Sequence, residues 1–221
     1  MFSHRGVSTG AAAILAIGLS WGAAAAQNWT GFYLGASAGG GTSKDNWDVN
    51  NGGAIFSDRG HGGLAGLQTG YNWQSGSILL GLEADYLWSG IKGSTDCPGG
   101  GFTCGHDLKG LGSARARLGW VAAPSAMIYF TGGLGWGSSR WTAKDSVTGS
   151  LAGGGATSRT STGWALGGGV EFLLNNNWTV KGEYLHYDFG RFSASPADFG
   201  GTPVNFKLSA DTFKIGLNYK F

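Results

Sequence analysis

Beyond residue 26 the sequence contains no continuous apolar run near the roughly twenty residues that a membrane-spanning helix requires. Cysteine is nearly absent, with only Cys97 and Cys104 in 221 residues. That spacing offers neither a CxxC redox pair nor a four-ligand zinc site. Charged residues are few, 13% of the chain, and 15 Lys and Arg stand against 13 Asp and Glu. This near balance points to no polyanionic partner, nucleic acid included. The length suits one domain of moderate size.

Glycine, by contrast, is abundant at 44 residues. Without periodicity such a content would suggest a low-complexity chain. Here the glycines lie inside alternating segments beside Trp, Phe and Tyr, which fits tightly coiled strands with rings packed over bare backbone. The N-terminus reads differently. A weakly basic start, an apolar stretch over residues 11–19 and Ala24-Ala25-Ala26 before Gln27 predict a secretory signal peptide over residues 1–26. Residues 27–221 are then the mature domain. An exported chain meets an oxidising compartment, so Cys97 and Cys104 are expected to form a loop disulfide.

The clearest strand pattern is at the end of the chain. Phe213, Ile215, Leu217, Tyr219 and Phe221 alternate with Lys214, Gly216, Asn218 and Lys220, giving one apolar and one polar face. Seven further segments alternate likewise, over residues 30–42, 63–74, 78–91, 108–122, 126–138, 162–174 and 178–188. The total is even, as a bacterial single-chain barrel requires. Short connections at 74–77, 123–125 and 175–177 alternate with long polar ones at 43–62, 92–107, 139–161 and 189–207. In an antiparallel meander all the long loops then fall at one end. The expected architecture is an all-β, eight-stranded antiparallel up-and-down transmembrane barrel with short periplasmic turns and long extracellular loops.

Tryptophan distinguishes such a barrel from a soluble one with its apolar face turned inward. Trp73, Trp120 and Trp178 fall beside short turns, and Trp88, Trp136 and Trp164 beside long loops, all on the apolar parity. From Ile78 to Trp88 the strand covers roughly 33 Å at about 3.3 Å per residue. A tilt near 40° projects this to roughly 25 Å, the height of a lipid-facing band between aromatic girdles. Trp29 precedes its strand and lies outside this parity.

The opposite parity places Glu83, Asp85, Lys109, Arg115, Arg117, Glu171, Lys181, Glu183 and Lys214 in the lumen. Buried charges must be paired, and eight strands leave a lumen that side chains can fill, so a charged plug is expected ahead of a narrow polar path. His61, His106 and His186 fall on the loop side and are the candidates for a haemin ligand. No catalytic constellation emerges: His186 and Asp188 have no serine at matching spacing, and His106 and Asp107, adjacent in a strand, point apart. No resident cofactor or metal site is indicated.

Several motifs resemble those of the small alphaproteobacterial outer-membrane immunogenic proteins, within the porin-like outer-membrane β-barrel family. They include the mature start Asn28-Trp29-Thr30-Gly31-Phe32-Tyr33-Leu34-Gly35-Ala36, Leu118-Gly119-Trp120, and Thr131-Gly132-Gly133-Leu134-Gly135. Gly167-Gly168-Gly169-Val170-Glu171 and Trp178-Thr179-Val180-Lys181-Gly182-Glu183-Tyr184-Leu185 belong with them. The resemblance spans the mature chain and departs at His186, where the family often has an aromatic or aliphatic residue. It implies residence in the Gram-negative outer membrane, contact with its lipid, and surface loops that act as antigens. It also implies delivery by the barrel-assembly machinery, which reads a terminal aromatic, here Phe221. Some relatives are described as porins and others as haemin-binding surface proteins. A structural envelope protein is the leading expectation; a small diffusion channel and haemin or surface-ligand binding stay open, as does the oligomeric state.

Overall fold

The structure, a computed structural model, describes residues 28–49, 53–97, 100–193 and 203–221. The predicted signal peptide lies outside these residues. Eight strands follow one another: β1 (Gly31–Val49), β2 (Ala54–Ser75), β3 (Ile78–Asp96), β4 (Phe102–Ala123), β5 (Ala126–Asp145), β6 (Leu151–Leu173), β7 (Trp178–Ser193) and β8 (Val204–Lys220). Each pairs antiparallel with its neighbour in sequence, and β8 returns to β1 to close the barrel. Closure matters because no strand edge is left for lipid to solvate.

The exterior of the lower barrel is apolar. Leu82, Phe130, Leu134, Phe213 and Ile215 are all more than half exposed, and only lipid covers such a belt without penalty. Trp73, Trp120 and Trp178 edge it at the short-turn end, and Trp88 and Trp164 at the other, all exposed. Trp136 is partly covered because its indole lies over Gly112, where any Cβ would collide with the ring.

The long connections expected from sequence are mostly strand. β1 and β2 stay paired up to Val49 and Ala54, and β4 and β5 up to Phe102 and Asp145. The reason is an inversion of polarity along each strand. On β8, Thr212, Lys214 and Asn218 point inward while Phe213, Ile215 and Leu217 face out. Further up the same strand, Val204, Phe206, Leu208 and Ala210 are buried inward, and Asn205, Lys207 and Ser209 face outward. The strand keeps its facing; its surroundings change from lipid to water.

Two seams open in this extension. Pairing of β2 with β3 ends at His61–Lys92, and pairing of β6 with β7 ends at Trp164–Asp188. Above them the barrel becomes two four-stranded half-sheets, β7-β8-β1-β2 and β3-β4-β5-β6. Between them packs an apolar core including Trp47, Ile91, Leu108, Trp141, Tyr187, Phe206 and Leu208. Arg159 on β6 ties one seam, with Nη1 3.4 Å from the Ser193 carbonyl and its guanidinium 5.2 Å from the Phe192 ring on β7. A disulfide joins Cys97, just past β3, to Cys104 on β4.

Candidate functional site

The lumen at the level of the apolar belt is filled by charge. Cross-strand register brings Glu83 on β3 opposite Arg115 on β4, and Arg115 Nη2 lies 2.6 Å from Glu83 and 3.0 Å from Asp85. Arg115 also reaches Glu183 at 3.2 Å. Arg117 pairs with Glu171 at 2.6 Å and lies 3.5 Å from Glu83, its guanidinium 4.0 Å from the Tyr129 ring centroid. Lys181 meets Glu83 at 2.7 Å; Lys214 meets Glu183 at 3.0 Å and also bonds Asp85. Four cations thus face four carboxylates, all with side chains almost fully excluded from solvent. Paired in this way, charges can be buried at tolerable cost.

Neutral groups that sequence reasoning overlooked complete the network. Tyr33 donates to Glu83 at 2.7 Å, Tyr129 to Glu183 at 2.9 Å, and Ser113 to Asp85 at 2.6 Å. Thr179 and Asn218 donate to the remaining Glu171 oxygen at 2.6 and 2.9 Å. Their inward parity was readable, but the partner each would choose across the lumen was not. Glu83, Asp85 and Glu183 place oxygens within 4.8 Å of one another, yet the surrounding Arg and Lys side chains already neutralise them, leaving no anionic cage for a cation.

Lys109 is not part of this network. A one-residue bulge between Leu108 and Gly110, relative to β5, shifts the parity of β4. His106 and Leu108 point inward above it and Ser113, Arg115 and Arg117 below, while Lys109 is extruded and exposed, pairing with Asp107 at 2.9 Å. Simple alternation cannot see an inserted residue.

Apolar layers lie on both sides of the charges. At the short-turn end Trp29 is buried with Leu79, Met127, Tyr129 and Leu173. Its place outside the strand parity follows from this role: it folds under the barrel, its backbone N–H donating to Gln74 at 2.8 Å. At the other end stands the core between the half-sheets.

Within that upper core, three residues from three strands form a chain. Ser43 Oγ is 2.6 Å from His106 Nε2, and His106 Nδ1 is 2.8 Å from Asp58. The order of groups is that of a serine-hydrolase triad, but Ser43 is 2% and His106 1% exposed. The chain instead links one half-sheet, carrying Ser43 and Asp58, to the other through His106. Asp45 makes a second link, accepting from Trp141 Nε1 at 2.5 Å. Burial raises the Asp45 carboxyl to about 7; the Trp141 hydrogen bond opposes this and the nearby Asp58 charge adds to it.

The three candidate histidines, His61, His106 and His186, do not converge. Both ring nitrogens of His106 are engaged, His61 faces outward on β2, and His186 faces outward on β7, 2.8 Å from Asp211. The C-terminal Phe221 exposes its ring while its N–H donates to the Phe32 carbonyl at 3.0 Å.

A closed eight-stranded meander with a lipid-suited exterior sets the architecture, and sequence comparison sets the family. Residues 10–221 match the outer membrane protein beta-barrel domain. The chain belongs to the outer-membrane β-barrel family. This barrel is 36% identical over 210 residues to the 31 kDa outer-membrane immunogenic protein of Brucella melitensis, covering 88% of this chain and 84% of that one. It is 32% identical over 197 residues to a 22 kDa outer membrane protein of Rhizobium leguminosarum, covering 89% and 80%. Among solved structures it resembles the outer membrane protein OprG of Pseudomonas aeruginosa, with TM-score 0.55 and 16% identity over 87% of this chain and 96% of that one. That likeness concerns the fold alone. These relatives place the protein in the Gram-negative outer membrane.

Proposed function

We propose that this barrel is a structural, non-catalytic component of the outer membrane whose lumen is closed to ions, and that its extracellular half-sheets are the surface met by antibodies. The observation that carries the reading is the stacking inside the lumen. A neutral network of four cations and four carboxylates lies between the Trp29 layer and the Trp47–Trp141–Phe206 layer. An ion crossing here would have to part several buried ion pairs and two apolar layers, which is a poor path. The Ser43–His106–Asp58 chain supports no catalytic step, because Ser43 is enclosed and no substrate carbonyl can be placed beside it. The immunogenic names of the Brucella relatives favour the surface role.

Cells deleted for the chain test the envelope role. They should take up a normally excluded dye and become detergent-sensitive, with recovery on re-expression. An unaltered barrier in the deletion strain would remove this reading.

A further inference from the structure

The near-balanced overall charge hides a local excess on one outer face. Above the girdle, Lys44 on β1 stands directly opposite Arg59 on β2, and His61 on β2 opposite Lys92 on β3. Arg140 and Lys144 follow on β5. Lys44 and Arg59, like charges facing one another across a ladder, repel and destabilise the sheet unless something screens them. Among the described residues Lys44, Arg59, Lys92, Arg140 and Lys144 form no ion pair; Asp107, the acid in the groove lining, stands opposite Lys92 and Arg140 in the ladders but is held by Lys109 at 2.9 Å. On the opposite face Lys207 also stands across from a cation, Arg191, but there an acid answers it: Lys207 pairs with Asp188 at 3.7 Å, and Asp211 takes both Tyr184 and His186.

These cations border a groove of about 860 Å³ that runs over the β2–β3 seam and across β4 and β5, with Arg59, His61, Lys92, Arg140 and Lys144 in its lining. Its height is informative. Lys92 is four residues beyond Trp88 and Arg140 four beyond Trp136, about 13 Å along a strand. Tilt reduces that to about 10 Å above the girdle, within or just beyond the headgroup layer. Directly below, Leu82, Tyr86 and Trp88 present an exposed apolar face. Cations over an acyl-compatible surface match an amphiphile with phosphate in its headgroup.

We propose that this groove binds the phosphorylated headgroup of an outer-leaflet glycolipid, with Lys92 and Arg140 as the principal phosphate contacts and the acyl chains lying along the β3 face. Arg59 and Lys144 flank the sugar, and Lys44 is relieved of its repulsion with Arg59 when the anion is present. The site is independent of whether the lumen conducts.

The test uses the refolded full-length mature chain in zwitterionic micelles, titrated with bisphosphorylated lipid A, its dephosphorylated counterpart and inorganic pyrophosphate. Binding is read by native mass spectrometry. The bisphosphorylated lipid should bind, more weakly as salt rises, and the dephosphorylated lipid at least about tenfold more weakly, the scale of losing a charge-assisted hydrogen bond. The double variant Lys92→Gln/Arg140→Gln should lose about tenfold for the same reason. Lys207→Gln on the far face should bind as the parent does. All the substituted side chains are exposed, and retained heat-dependent gel mobility reports folding. Equal binding of the two lipids, or an unchanged double variant, would overturn the proposal. So would pyrophosphate binding as tightly as the lipid, since the site would then serve free phosphate.

Discussion

Lys181 on β7 reaches across the lumen to Glu83 on β3, its Nζ 2.7 Å from Oε2. Its own neighbour in the ladder is Glu171, which instead pairs with Arg117 on β4. Lys181 and Glu171 therefore pass over one another, while Glu83–Arg115 and Glu183–Lys214 pair directly across their own ladders and Arg115–Glu183 and Lys214–Asp85 bridge the lumen. The result is one knot across the barrel, not separate pairs along its seams.

Removing one member should then be felt by the whole network. Lys181→Met leaves Glu83 and Glu183 short of a cation in a dry interior, a loss of roughly 3–5 kcal/mol. Urea unfolding of the barrel in lipid vesicles measures it. A variant as stable as the parent would mean that water reaches these carboxylates.

The exterior belt predicts the opposite sensitivity. Leu82 is 67% exposed midway between the girdles on β3. Leu82→Arg should cost about 2–4 kcal/mol, the price of a cation at the bilayer midplane. The same unfolding assay applied to Lys207→Leu, on the water-facing extension, should show little change.

The tie between the half-sheets should behave as a local element. Ser43→Ala leaves His106 Nε2 without its 2.6 Å partner, a penalty of about 1–3 kcal/mol for a buried polar atom. Amide exchange should quicken around Asp58 and His106 while the β3 amides near Glu83 remain protected. Equal acceleration in both regions would show that the two halves of the barrel unfold as one.

Asp45 gives the extension a pH dependence. Its carboxyl titrates near 7 in the fold, well above its ordinary value, because burial disfavours the charged form. The folded state thus holds the proton more tightly. The stabilisation is complete at acid pH, below the unfolded value, and is lost as pH rises toward 7. Trp141 amide protection should be greater at pH 5 than at pH 8, and Asp45→Asn should flatten the difference.

How much of this was legible in the sequence varies by region. The lipid-facing half was, because Phe213, Ile215 and Leu217 alternate against Lys214 and Gly216 with nothing interrupting them. On the extension the apolar residues change parity, as from Leu208 to Phe213, and the segment reads as a polar loop although the backbone continues unbroken. Val204, Phe206 and Leu208 carried the signal, but only a reader expecting water outside and a core inside would use it. Lys109 was misplaced because one bulged residue reverses every later side chain. Trp29 was left aside because a residue that folds under a barrel obeys no strand period. Ser43, Asp58 and His106 come from β1, β2 and β4, and only the register and the curvature of the closed sheet bring them together.

The most direct measurement is single-channel recording of refolded residues 27–221 in a planar bilayer, with folding verified by heat-dependent gel mobility. A lumen closed by the Arg115–Glu83–Lys181 knot between two apolar layers should give a silent membrane. Stable, reproducible current steps whose ion selectivity shifts on substitution of Arg115 or Glu83 would contradict it and make the barrel a pore.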